Sequence, residues 1–204
     1  RANVAQILGA RPPEIILTAG GTESCNLAIH GIMQQYPDAN VVVSGVEHEA
    51  VLAPAQQYAH QLAPVGPDGI LDLEKLQKAI NDQTVLVSVM YANNEVGSLQ
   101  PIAKIGQLVK KINQARQANG NKLPLYFHTD ACQAAAYLDL NVARLGVDLL
   151  TLNGGKIYGP KQSGILYVKG GLELQPLISG GGQESGLRSG TENVGAAASR
   201  DRAL

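Results

Sequence analysis

The chain has 204 residues, 45% of them hydrophobic, with 16 Lys+Arg against 17 Asp+Glu and a formal net charge of -1, which describes a folded chain about the size of one large domain and excludes disorder. With a pI near 6.5 and no Lys/Arg run, it lacks the footprint of a nucleic-acid or anionic-membrane binder, and no apolar stretch reaches the roughly 18 residues of a spanning helix. The opening residues do not read as a signal peptide, and the two cysteines, Cys25 and Cys132, are too far apart for a disulfide framework or a zinc pattern, so the expectation is a reducing, cytoplasmic or organellar compartment and no metal.

In chain order, 15–17 reads as a short buried strand and 23–36 as a helix. A strand at 41–43 precedes a helical stretch at 50–62. A further helix spans 72–81, with Asp72 as its N-cap and Lys75 and Lys78 on its wet face. The run 85–90 is a strand, 102–118 a helix, and 125–127, 149–152 and 164–168 are strands rich in β-branched or aromatic residues. This alternation predicts an α/β fold: a mostly parallel mixed sheet flanked by helices in three layers, with right-handed crossovers. Glycine stands out in the composition, 23 of 204 residues, about 11% against a usual level near 7%. The glycines cluster at strand ends and loops, where in open α/β sheets backbone approaches a ligand. Taken singly, each reads as a turn residue.

Three segments carry chemistry. Thr18-Ala19-Gly20-Gly21-Thr22-Glu23-Ser24 follows a strand and opens a helix. Its bared amides and the positive end of the helix dipole suit a phosphate, although a plain capped helix start fits equally well. It is not a dinucleotide fingerprint, and no P-loop pattern occurs. In Phe127-His128-Thr129-Asp130 a hydrophobic strand delivers an acid to its own end. A carboxylate there needs a cation or a protonated heterocycle nitrogen, unless it caps the next helix. Lys156 follows a third strand in a glycine-rich turn. A lysine in a confined, partly desolvated place forms Schiff bases readily, whereas a lone loop lysine is usually solvated surface. A phosphate cradle, a strand-end Asp and a lysine are together the fixed parts of a pyridoxal phosphate site.

These segments, with Val46-Glu47-His48-Glu49-Ala50-Val51, Tyr91-Ala92-Asn93-Asn94-Glu95-Val96-Gly97, Gly155-Lys156-Ile157-Tyr158-Gly159-Pro160-Lys161 and the stretch 180–193, resemble in order and spacing the large domain of cysteine desulfurases. These are class V aminotransferase-like enzymes of fold type I that use pyridoxal 5'-phosphate. The resemblance implies that Lys156 carries the cofactor as a Schiff base and moves the substrate Cα proton, and that Asp130 keeps the pyridine nitrogen protonated. It implies that His48 lies over the ring face and assists proton transfer, although His48 also reads as a helix-start residue. Asn94 and Gln133 would orient substrate and the cofactor's phenolic oxygen. Gly21 and Thr22 would cradle the phosphate, and Thr191 would reach the phosphate of the neighbouring subunit of a homodimer.

The pattern departs from the family at several points. Asn153 and Gly155 stand where Ser and His usually flank the glycine before the lysine, altering two phosphate contacts, so weaker cofactor retention is expected. Ser185 stands in place of a familiar arginine. The family's small domain, which supplies a sulfur-accepting cysteine and an arginine for the substrate carboxylate, finds no counterpart before Leu204. The expectation is therefore that 1–204 is a pyridoxal-phosphate-binding large domain, incomplete at both ends. The complete enzyme would convert L-cysteine to L-alanine and pass sulfur as a persulfide, through an acceptor or scaffold protein, to iron–sulfur or thio-cofactor synthesis. The fragment would be inactive alone, with Cys25 and Cys132 packed as small hydrophobes. A selenocysteine lyase or another class V aminotransferase, and a non-catalytic dimerising fragment, are the alternative readings.

Overall fold

A computed structural model describes residues 1–195. Helix α1 (Ala2–Leu8) leads into β1 (Ile15–Thr18) and α2 (Gly21–Met33). Then come β2 (Asn40–Ser44), α3 (Glu49–Ala55), β3 (Ala59–Ala63), α4 (Leu73–Ala79), β4 (Thr84–Ser88) and α5 (Ile102–Ala118). The sequence of elements closes with β5 (Tyr126–Asp130), α6 (Val142–Leu145), β6 (Leu149–Asn153) and β7 (Gly164–Val168). The seven strands form one sheet in the order β1-β7-β6-β5-β4-β2-β3. Pairing is parallel from β3 through β6, and β7 runs antiparallel to both β6 and β1. This is the mixed, mostly parallel sheet that the alternation of runs predicts.

Both faces of the sheet are covered. One packs against α1, α4, α5 and α6 through Leu8, Leu76, Ile105, Val109, Leu145 and the strand residues Val87, Phe127 and Leu150. The other packs against α2 and α3 through Leu27, Ile29, Ile32, Val51, Val43, Leu86 and Leu149. The adjacent strand residues Leu149 and Leu150 lie in different clusters, as the twofold side-chain alternation of a strand requires. Asp72 caps α4 as expected, accepting from the amides of Glu74 (3.0 Å) and Lys75 (3.1 Å).

The helix predicted at 50–62 is a correction: it is the short α3 followed by the edge strand β3. Pro54 withdraws one amide from the α3 hydrogen-bond ladder. In β3, residues 59–62 are exposed, so no apolar alternation marks the strand, and pairing with β2 alone makes it one. The helices α1 and α6, seven and four residues long, are too short to carry a readable period. Helix α2 begins at Gly21, two residues before its predicted start.

Candidate active site

Five chain crossings at the carboxyl ends of the strands converge on one cavity. It is lined by Gly21 and Thr22 at the start of α2, His48 at the start of α3, and Met90, Ala92 and Asn94 after β4. Asp130, Cys132 and Gln133 at the end of β5 and Asn153 and Lys156 after β6 complete it. A parallel sheet gives this outcome without further instruction, because every crossover returns the chain to the same edge. A second cavity adjoins the first through Gly21, Thr22, Asn153 and Lys156 and adds Lys161 and Gln162.

At the start of α2 the first helical hydrogen bond runs from Ser24 N to the Gly20 carbonyl (3.1 Å). The amides of Gly21, Thr22 and Glu23 therefore precede the ladder and are available to an anion. Glu23 is tied back: its Oε2 accepts from Ala19 N (2.9 Å) and its Oε1 pairs with Arg188 Nε (2.8 Å). Gly21 is required by close approach. A Cβ there would lie 2.7 Å from Cys132 Sγ and 3.4 Å from Asn153 Cβ, so any side chain would fill the cradle.

His48 is the N-cap of α3, and its Nδ1 accepts from the Ala50 amide (3.0 Å). The helix-start reading of this residue therefore holds, and the same residue lines the cavity. The capping bond places the proton of a neutral imidazole on Nε2. Asp130 is buried (7% exposed) at the end of β5, with Oδ1 accepting from the Cys132 amide (2.9 Å). Asn153 accepts from the Gly155 amide (3.0 Å) and so shapes the single turn Gly154–Lys156 that presents the lysine. Tyr158 (φ 61) and Gln162 (φ 56), both just beyond Lys156, hold left-handed backbone that side chains disfavour, a local strain of the kind that collects at functional sites.

Eight of the nine residues singled out from the sequence meet here: Gly21, Thr22, His48, Asn94, Asp130, Gln133, Asn153 and Lys156. Thr191 does not. It lines a separate cavity with Leu17, Thr18, Ala19, Gln162, Glu184 and Arg188. The confinement expected of Lys156 is also not seen, since the lysine is exposed at the rim of its turn. Cys25 is packed as expected, but Cys132 Sγ forms part of the site floor. Burial, with the Asp130 charge beside them, pushes both thiols well above their ordinary range, which makes them poor nucleophiles.

A polar row beneath Asp130 was not anticipated. His128 is fully buried, with Nδ1 2.8 Å from Ser88 Oγ and Nε2 3.0 Å from Thr151 Oγ1. Burial lowers its pKa to about 4. The signal was in the sequence, as a histidine inside an apolar strand two residues before the acid.

The chemistry of this set, a carboxylate, a primary amine, an imidazole, carboxamides and a helix N-terminus walled by glycine, fits pyridoxal phosphate, whose phosphate, ring nitrogen and aldehyde need those groups. The family model for aminotransferase class V matches residues 1–204. The chain belongs to the class V aminotransferase family. Among its curated relatives are the cysteine desulfurase IscS of Dictyoglomus turgidum, 40% identical over 95% of this chain and 48% of that protein, and that of Methanosarcina thermophila, 42% identical over 95% and 47%. A mitosomal cysteine desulfurase of Trachipleistophora hominis is 43% identical over 94% of the chain and 43% of that protein. The chain thus spans about half the length of the curated relatives it matches. Among solved structures, SspA in complex with cysteine superposes with a TM-score of 0.90 at 35% identity, covering 98% of this chain and 57% of that one. A NifS-like protein gives 0.89 at 35%, covering 98% and 55%. The fold is that of the fold type I enzymes.

Proposed function

We propose that this chain is the pyridoxal-phosphate-binding part of a cysteine desulfurase. The observation that carries the reading is the convergence of Lys156, Asp130 and His48 with the α2 N-terminus in one cavity. When bound, pyridoxal phosphate supplies an electron sink for the bonds at the substrate Cα. The amides of Gly21 and Thr22 hold the phosphate. Asp130, an acceptor on a rigid strand end, holds the proton of the ring nitrogen. Lys156 would hold the aldehyde carbon through its Nζ, and the same nitrogen would move the Cα proton. His48 would lie against the ring, and Asn94 and Gln133 would orient substrate and the phenolic oxygen.

In the whole enzyme the C–S bond of L-cysteine breaks and the sulfur joins an acceptor thiol as a persulfide, leaving alanine. A relative solved with cysteine supports that substrate. Neither Cys25 nor Cys132 suits the acceptor role, given their burial and raised pKa values. The separate position of Thr191 is consistent with the homodimer that the resemblance implies, in which it serves the neighbouring subunit's phosphate.

Titration with pyridoxal phosphate is the test. The chain is expected to give the visible absorption band of protein-bound cofactor, and Lys156→Ala to lose it. Absence of the band in the parent chain, or its persistence in the variant, refutes the reading. Sulfide release from L-cysteine by the 204-residue chain is expected to be absent or very low.

A further inference from the structure

Glu47 lies in the turn between β2 and α3, directly before His48, and is buried (7% exposed). Its Oε1 accepts from the Ser44 hydroxyl and from the Met90 amide (2.6 Å). Its Oε2 is the one buried side-chain oxygen or nitrogen among the described residues with no hydrogen-bond partner. No lysine, arginine or histidine pairs with Glu47 among the described residues. The titratable groups facing it are the Asp130 carboxyl at the end of β5 and the Cys25 thiol on α2. Neither can neutralise an anion.

We propose that Glu47 is a positioning residue of this site, an uncharged carboxylic acid that locks the turn carrying His48 onto the chain leaving β4. The Met90 bond joins that turn to the segment leading to Asn94, and a second bond, from Asn93 Nδ2 to the Val46 carbonyl (2.8 Å), joins it again. The first bond is accepted by a carboxyl oxygen of Glu47, the second by a backbone carbonyl. Burial pushes the Glu47 carboxyl up to about 8, the hydrogen bonds from Ser44 and Met90 pull it down, and the Asp130 charge raises it further. Two carboxylates cannot both ionise in one unhydrated place, and Asp130 is the one that a protonated ring nitrogen requires, so Glu47 keeps its proton. Ionisation of Glu47 would keep the bonds from Ser44 and Met90 but set a desolvated charge, with its Oε2 unpartnered, against Asp130, and that repulsion would act on the turn under His48.

The role assigned through His48 rests on the cofactor reading, but the neutral acid can be tested without cofactor. The unfolded chain releases the Glu47 proton near pH 4.5, whereas the folded chain keeps it until about pH 8. Stability contributed by the retained proton is therefore complete below the lower value and lost as pH rises to the upper one. Urea unfolding of the cofactor-free chain and of Glu47→Gln across this range isolates the effect, because other groups titrate alike in both. The ratio of their unfolding constants is expected to change by on the order of a hundred- to a thousandfold, the parent chain weakening as pH rises. Ser44→Ala, which removes a donor to the carboxyl, is expected to shift that fall to higher pH. A ratio constant with pH, or a Ser44→Ala effect uniform across pH, overturns the neutral acid.

With pyridoxal phosphate added, the parent chain is expected to lose its visible band on the alkaline side of this range, and Glu47→Gln to retain it. Equal loss in both chains overturns the positioning role. Failure of both chains to bind at any pH refutes the cofactor site, and with it the task at His48, while the unfolding ratio still decides the acid.

Discussion

The two faces of the sheet differ in what they bury. The face under α1, α4, α5 and α6 is closed mainly by hydrocarbon, from Val42 and Phe127 to Ile165. The face under α2 and α3 carries hydrocarbon along its strands, including Val43 beside Ser88 and Leu166 beside Thr151. Toward the carboxyl ends it also carries polar groups: Ser88, His128 and Thr151 lie side by side, Thr18 Oγ1 meets Ser24 Oγ at 2.7 Å, and Asp130 stands above them. Buried polar groups add little net stability even when every bond is made and cost much when one is lost. One group of them stands where a strand-end carboxylate needs a rigid base; another, Asn40 with Thr84, ties the amino ends of β2 and β4.

That contrast can be broken by substitution. Phe127→Ala empties a fully buried site on the hydrocarbon face and is expected to cost about 3–5 kcal/mol in urea unfolding, equally at acid and neutral pH. Gly106→Ala acts on the same face by crowding. Its Cβ would lie 2.5 Å from the Leu145 carbonyl oxygen and 3.0 Å from Gly146 Cα, backbone atoms that cannot swing aside. A loss of about 3 kcal/mol in the same assay is expected, and a neutral result would show that α5 and α6 can slide apart.

On the polar face, Thr151→Val leaves His128 Nε2 without its partner and is expected to cost about 2 kcal/mol near neutral pH. The histidine also sets the acid limb. The unfolded chain binds its proton near pH 6.5 and the folded chain only near 4, so stability held above the first value is lost as pH falls toward the second. Replacing His128 with Asn should flatten that limb in pH-dependent unfolding, while Phe127→Ala should leave it in place. Arg188→Gln, which breaks the 2.8 Å pair with Glu23, gives the smallest effect, under about 1 kcal/mol by thermal unfolding, because both side chains keep contact with water.

Much of the site was legible in the residues because it is written locally. Gly20-Gly21 before a helix, an acid ending an apolar strand and a lysine in a glycine turn each announce their chemistry within a few positions. The strands were legible for the same reason, apart from β3, whose exposed residues 59–62 carry no hydrophobic alternation and are a strand only by pairing with β2.

What the chain determined by itself was therefore the order of six of the seven strands, the sheet class and the residue types that could hold a phosphate, a ring nitrogen and an aldehyde. Tertiary structure alone decided which of them share a cavity, since strand order brings residues more than a hundred positions apart to one edge. It separated Thr191 from Lys156, put Cys132 Sγ against Gly21, and gave Glu47 a buried oxygen with no partner. A residue's charge state depends on what surrounds it in three dimensions, and that is why Glu47 read as part of a motif in the chain and as a buried carboxyl with an unpartnered oxygen in the fold.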